Sequence, residues 1–86
     1  MNYSKDDKTK TKLYKLFQKA MRLYRDEKWD KASEIFKKAG YLANQINDKT
    51  IESDCIEYIE KCMINLQEKI DKEKEELENS FSKLYE

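Results

Sequence analysis

Apolar side chains recur along the chain at intervals of three and four residues, the spacing of one face of an α-helix. The first stripe predicts a helix from about residue 8 to residue 26, and its members are Leu13, Leu16, Phe17, Ala20, Leu23 and Tyr24. After a polar break, the second stripe predicts a helix from Trp29 to Ile46, and its members are Ala32, Ile35, Phe36, Ala39, Leu42, Ala43 and Ile46.

A third stripe follows the polar pair Asn47 and Asp48 and continues towards Glu86. It predicts a helix from about Thr50, which Asp48 or Thr50 can cap. The stripe consists of Cys55, Ile59, Cys62, Met63, Leu66, Ile70, Leu77 and Leu84. Because short connections make consecutive helices antiparallel neighbours, the sequence predicts an all-α fold: an antiparallel three-helix bundle with a long third helix.

The third helix is longer than its partners. A helix of about 36 residues spans roughly 54 Å, whereas the second helix spans roughly 25 Å. We therefore predict a flexible N-terminus over residues 1–7, the bundle over residues 8–70 and an extension of the third helix over residues 71–86. Because the apolar residues of the extension approximate a heptad, it is a candidate assembly helix through Ile70, Leu77 and Leu84. Its candidate partners are a second copy in a homodimer, the N-terminal residues, or chain beyond residue 86.

Composition excludes several classes of site. The chain has no His, no Pro and one Gly, Gly40. Without His there is no imidazole base and no Ser-His or Cys-His nucleophile pair, and one Gly cannot make a Gly-rich phosphate loop. The acidic residues lack the spacing of a calcium loop. We predict no catalytic residue, no metal site and no cofactor.

The two cysteines, Cys55 and Cys62, stand seven residues apart. On one helix that separation is about 10 Å of rise, too far for a disulfide, so we expect both to be small buried residues. No disulfide framework, signal-peptide core or membrane-spanning apolar run is apparent. The sequence therefore favours a cytoplasmic location, with recruitment to membranes left open.

Charge is distributed unevenly although the formal net charge is zero. Residues 1–40 hold 12 basic and 6 acidic side chains, and residues 41–86 hold 6 basic and 12 acidic ones. Five cations follow one line along the first helix, a basic face made of Lys8, Lys12, Lys15, Lys19 and Arg22. Such a line is a solvated helix face or a site for an acidic peptide, an anionic membrane or nucleic acid, of which nucleic acid is the least favoured.

Apolar residues beyond those that one core needs are found on the second and third helices. This surplus either widens the core or forms a groove for a partner helix. The predicted partner-binding groove lies between helices two and three and consists of Lys38, Tyr41, Leu42, Ile59, Met63 and Leu66. We expect a protein or peptide partner there, held with micromolar affinity.

Two segments carry a family resemblance. The run from Ala20 to Ala39 resembles the helical hairpin of tetratricopeptide repeats, whose small and large apolar positions are matched by Ala20, Leu23, Trp29, Ala32, Phe36 and Ala39, with Glu27 at the usual turn glycine. Followed by one long helix, this hairpin resembles an MIT (microtubule-interacting and trafficking) domain. The segment CIEYIEKC is similar to the MIT pattern at Glu57, Tyr58, Ile59, Glu60, Lys61 and Cys62.

The MIT resemblance implies a non-catalytic interaction module. MIT domains bind short helical or extended tails, mostly of ESCRT-III-type membrane-remodelling proteins, and some belong to autophagy scaffolds in which a coiled coil follows the bundle. The expected function is therefore the binding of a membrane-trafficking partner. The alternatives are a coiled-coil assembly module and a peripheral anionic-membrane binder that uses the basic face.

Overall fold

The fold is all-α, as the stripes predict. The computed structural model describes the backbone of residues 5–85 and the side chains of residues 7–85, and this part of the chain forms three helices and no strand. They are α1 (Lys5–Arg25), α2 (Trp29–Gln45) and α3 (Lys49–Leu84). The expected boundaries hold within one residue, except that α1 begins three residues early and α3 ends at Leu84, two residues before the end of the predicted extension. Residues 1–4 of the predicted flexible N-terminus, and Glu86, lie outside the described residues.

Two equivalent turns connect the helices, and each ends its helix with the same backbone hydrogen bonds. The Lys28 amide donates to Leu23 (2.9 Å) and the Glu27 amide to Tyr24 (3.0 Å). After α2, the backbone amide of Asp48 donates to the carbonyl of Ala43 (2.9 Å), and the backbone amide of Asn47 donates to the carbonyl of Asn44 (3.2 Å). This pair of bonds defines a Schellman motif. It needs a left-handed residue, and Glu27 (φ 61°) and Asn47 (φ 58°) provide it.

We expect Glu27→Gly to raise the free energy of unfolding by about 0.5–1 kcal/mol. Glutamate has a Cβ that makes the left-handed conformation costly, whereas glycine adopts it freely. Asn47→Gly is the matched control and should gain less, because Asn tolerates this conformation better than Glu. Urea unfolding of the three proteins measures the effect. A loss of stability in Glu27→Gly would contradict this expectation. It would show that interactions of the exposed Glu27 side chain stabilise the fold by more than its left-handed backbone costs.

Of the two expected caps of α3, Asp48 and Thr50, the structure has Asp48. A carboxylate oxygen of Asp48 accepts a hydrogen bond from the backbone amide of Ile51 at 3.1 Å. One of the orphan amides at the start of the helix is thereby satisfied.

The core lies where α2 is sandwiched between the other two helices. α2 packs along both α1 and α3, whereas the backbones of α1 and α3 hardly approach each other. The fully buried core residues are mostly small: Leu13, Ala20, Ala32, Phe36, Ala39, Ala43, Cys55 and Cys62. Small residues at the crossings let the helix axes approach, and the four alanines of the predicted stripes are all among them.

Aromatic side chains fill the gap between α1 and α3. Tyr58 of α3 stacks on Phe36 with ring centroids 5.1 Å apart and planes at 8°. The same ring meets Tyr24 (5.1 Å) and Phe17 (6.4 Å) of α1 edge to face. Tyr24 also contacts Trp29 edge to face at 5.1 Å. These five residues, the aromatic cluster, hold all three helices together.

The last half of α3 extends beyond the bundle. Every residue from Gln67 to Tyr85 is exposed, whereas Leu66 is still half-buried. The molecule is consequently elongated, at 75 Å by 18 Å by 14 Å. The uncovered part of α3 is a continuous helix that begins four residues before the extension predicted over residues 71–86.

Candidate functional site

The six residues of the predicted groove do not line one groove together. Gly40 faces α3 so closely that a Cβ added there would lie 3.3 Å from the Cβ of Cys55. One turn later on the same side of α2, the Asn44 amide donates to Glu52 of α3 at 2.7 Å. Leu42 follows Gly40 by two residues, about 200° around the helix, and points away from α3. The prediction placed Leu42 on the wrong side of α2.

A groove does include half of the predicted set, but its other wall is α1. It has a volume of about 670 Å³ and is lined by Lys12, Leu16, Lys37, Lys38, Tyr41 and Leu42. We call it the α1/α2 groove. Ile59, Met63 and Leu66 are not among its lining residues: Ile59 and Leu66 are half-buried on α3, and Met63 is 60% exposed.

The geometry of α1 explains why this groove is open. α1 reaches the aromatic cluster of the core through Phe17 and Tyr24. Leu16 precedes Phe17 and is therefore turned about 100° from it, so it lies on the edge away from α3. There Leu16 and Leu42, both half-buried, form an apolar floor that no third helix covers. Lys12 and Leu16 were missed as groove residues because the sequence did not show which edge of α1 stays open.

The charge around the α1/α2 groove has one sign. Lys12, Lys37 and Lys38 are exposed, and no acidic residue is among the groove's lining residues. All five members of the basic face are exposed as well, as predicted: Lys8, Lys12, Lys15, Lys19 and Arg22. The arrangement can attract a negatively charged segment and give its apolar side chains a place to pack.

A second surface follows α3. The predicted assembly residues Ile70, Leu77 and Leu84 are all exposed, and Ile56 and Met63 continue their seven-residue spacing into the bundle. We call these five residues the α3 stripe. Each is between 51% and 78% exposed. Ile56 was missed as a member because the sequence alone did not show that its side of α3 is uncovered.

The two cysteines are buried and unlinked, as expected. Burial, with a smaller contribution from the Asp54 carboxylate, raises the pKa of the Cys55 thiol from 9.0 to about 11. Burial also raises the pKa of Cys62. A nucleophilic cysteine needs a lowered pKa and access to substrate, so neither thiol is a candidate nucleophile.

One ion pair on α3 lies beside the aromatic cluster. The Lys61 ammonium lies 3.4 Å from the Glu57 carboxylate and 4.9 Å from the centre of the Tyr58 ring. The Glu57 partner raises the pKa of Lys61. Both ionic side chains are about half exposed, and such a surface pair contributes little to stability. Its effect is to hold Lys61 over the edge of the aromatic cluster.

Over the residues whose side chains the structure describes, no three His, Cys, Asp or Glu side chains gather as metal ligands. None of the three described helices combines the length and apolar character needed to cross a bilayer.

Comparison with family models, with curated proteins and with solved structures found no match to this chain. The resemblance to MIT domains is therefore carried by the residues of the sequence alone and stays a prediction.

Proposed function

We propose that this protein is a non-catalytic interaction module that binds an acidic peptide with apolar anchors in the α1/α2 groove. The observation that supports this is the apolar floor of Leu16 and Leu42, bordered by Lys12, Lys37 and Lys38 without an acidic residue in the lining. The groove lies between two helices, which is a common position for binding a partner helix.

The chemistry of the groove defines its partner. Acidic side chains would pair with the three lysines at the rim, and one or two leucine-like side chains would cover the apolar floor. Exposed ion pairs contribute little affinity but accelerate encounter. Because the area that the peptide would bury is small, we expect a dissociation constant of about 1–100 µM. The dissociation constant should increase with salt concentration, because salt screens the ion pairs.

The biological class of the partner is proposed from the MIT resemblance. Tails of ESCRT-III-type or autophagy proteins are short segments, and those that are acidic would suit the lysine rim. The proposal therefore includes a membrane-trafficking partner, although the groove differs in position from the one that the sequence predicted.

The remaining basic face favours a second candidate function. Lys8, Lys15 and Lys19 are exposed outside the lining of the groove. A line of cations on one helix can bind anionic headgroups with about 1 kcal/mol for each lysine near the surface. The module would then attach to an anionic bilayer while its groove holds a peptide.

Fluorescence polarisation with a labelled amphipathic peptide tests the groove. The probe has about twelve residues, with Leu at every third or fourth position between Glu residues. We expect Lys12→Glu/Lys38→Glu to weaken binding at least about tenfold. Lys28→Glu/Lys72→Glu makes the same change in net charge away from the groove and should leave the affinity within about twofold at 0.15 M salt.

The apolar part of the proposal has its own control. A peptide with Ser in place of Leu keeps the charge and should lose binding, since nothing then covers the floor. Equal weakening by the two double variants, or equal binding of the Ser peptide, would contradict a groove site. Binding to phosphatidylserine vesicles that Lys8→Glu/Lys15→Glu/Lys19→Glu abolishes, without any peptide binding, would support the membrane function instead.

A further inference from the structure

The α3 stripe is an apolar surface that the bundle leaves uncovered. Ile56, Met63, Ile70, Leu77 and Leu84 recur at every seventh residue, the spacing of one core position of a coiled coil. With the α1/α2 groove on the far side of α2, none of these five residues takes part in the proposed peptide site. The stripe needs a partner of its own.

The second core position of the heptad is only partly apolar. It is occupied by Ile59, Leu66, Glu73 and Ser80. From Ile59 to Leu84 the two positions together span about 38 Å of helix, which is more than three heptads and enough for a coiled-coil seam. Which helix can cover this seam depends on the charges beside it.

The flanking charges argue against a parallel pair of copies. In a parallel coiled coil, residue 69 of each chain lies opposite residue 74 of the other chain. Lys69 would therefore face Lys74 twice, once on each side of the seam. The same register would place the two Glu73 carboxylates against each other in the core. Both juxtapositions bring like charges together and are unfavourable.

The flanking charges suit an antiparallel pair. If Leu77 packs opposite Leu66 of the second copy, the same register brings Lys69 opposite Glu76 of the second copy, twice by symmetry. It also sets Leu84 opposite Ile59 of the second copy. The two Glu73 residues then lie in neighbouring layers of the seam, about 4.5 Å apart along the axis, and no longer face each other directly. The extension of one copy then lies along the half-buried Ile59 and Leu66 of the other, which each bundle leaves partly uncovered.

We propose that two copies of this chain form an antiparallel homodimer through the α3 stripe. The occupant of the stripe is a second copy because the same helix supplies both the apolar seam and the complementary charges. Glu73 opposite Ile70 and Ser80 opposite Met63 weaken the seam, so dimerisation occurs with a dissociation constant of about 1–100 µM. The two bundles lie at opposite ends of the dimer.

Sedimentation equilibrium of the full chain tests the dimer. The expected result is a concentration-dependent dimer, and Leu77→Asp should be a monomer up to about 0.5 mM because it buries a carboxylate in the seam. Ser82→Asp places the same charge on the opposite face of the helix and should leave the dimer intact. Circular dichroism confirms that both variants keep their helices, since residue 77 contacts no part of the bundle core.

The orientation has a separate test, in which the two arrangements predict opposite signs. Lys69→Glu opposes Glu76 in the antiparallel dimer and should raise the dissociation constant about fivefold or more at low salt. In a parallel dimer it would face Lys74 and lower the dissociation constant. Lys69→Glu/Glu76→Lys exchanges the antiparallel pair and should restore the original value within about threefold.

Two results would overturn the inference. A wild-type chain that stays monomeric up to about 0.5 mM would show that a second copy does not cover the stripe. Tighter dimerisation of Lys69→Glu would show a parallel arrangement. Neither result affects the α1/α2 groove, whose binding is measured with a separate probe.

Discussion

Replacing Phe36 with Ala is expected to lower the free energy of unfolding by about 3–5 kcal/mol. Phe36 is the largest fully buried side chain, and it is the residue of α2 on which the aromatic cluster rests. It contacts Phe17 of α1 edge to face at 5.8 Å and stacks on Tyr58 of α3 at 5.1 Å. Its removal leaves a cavity between all three helices, which an 86-residue domain of marginal stability can hardly tolerate.

Tyr58→Phe is the matched control for this prediction. It keeps the ring and its contacts with Phe17, Tyr24 and Phe36, so the loss should be below about 1.5 kcal/mol. Urea unfolding followed by circular dichroism measures both variants, with Phe36→Leu as a fallback if Phe36→Ala does not fold. If Phe36→Ala cost no more than Tyr58→Phe, the aromatic cluster would not be what joins α1 to α3.

Cys55 is expected to react with a thiol reagent at pH 8 at least about a hundredfold more slowly in the folded protein than in urea. The rise of its pKa from 9.0 to about 11 reduces the reactive thiolate about a hundredfold, and full burial under Gly40 adds a barrier of access. The measurement uses Cys62→Ala, so that only one thiol is followed by absorbance.

The same pKa shift has a consequence for stability. Folding raises the pKa of Cys55, so the folded state holds this proton more tightly than the unfolded state does. The contribution is present below pH 9 and is lost as the pH rises from about 9 to about 11. Comparing Cys55→Ala/Cys62→Ala with Cys62→Ala separates this loss from any other loss of stability at alkaline pH. Fast reaction of Cys55 in the folded protein would contradict its burial. An equal loss of unfolding free energy at alkaline pH with and without Cys55→Ala would contradict it as well.

The fold could be predicted from the sequence because its signals are local. The stripes at three- and four-residue spacing fixed three helices within a few residues, and the alanines marked where the helices cross. Asp48 marked the start of α3. The early start of α1 was not predicted, because the residues before Leu13 carry no apolar periodicity, and helix formation there depends on intrinsic propensity.

The candidate site was only partly predictable, because it depends on which edges of the helices pair. The seven apolar residues of the second stripe, from Ala32 to Ile46, all resemble core positions in the sequence. In the structure, Gly40 and Asn44 face α3 and leave Leu42 on the opposite side of α2. The signal was present in Gly40, since the single glycine of a helix often marks a close approach of another backbone. The groove residues on α1 carried no comparable signal.

We propose that an acidic, apolar-anchored segment binds between α1 and α2. The most direct measurement is an amide NMR titration of the 15N-labelled protein with the Leu- and Glu-containing peptide. We expect the largest shift changes at Lys12, Leu16, Lys38 and Leu42, whose side chains line the groove. Changes centred on Ile59, Met63 and Leu66 would contradict this site and return the peptide to the edge between α2 and α3.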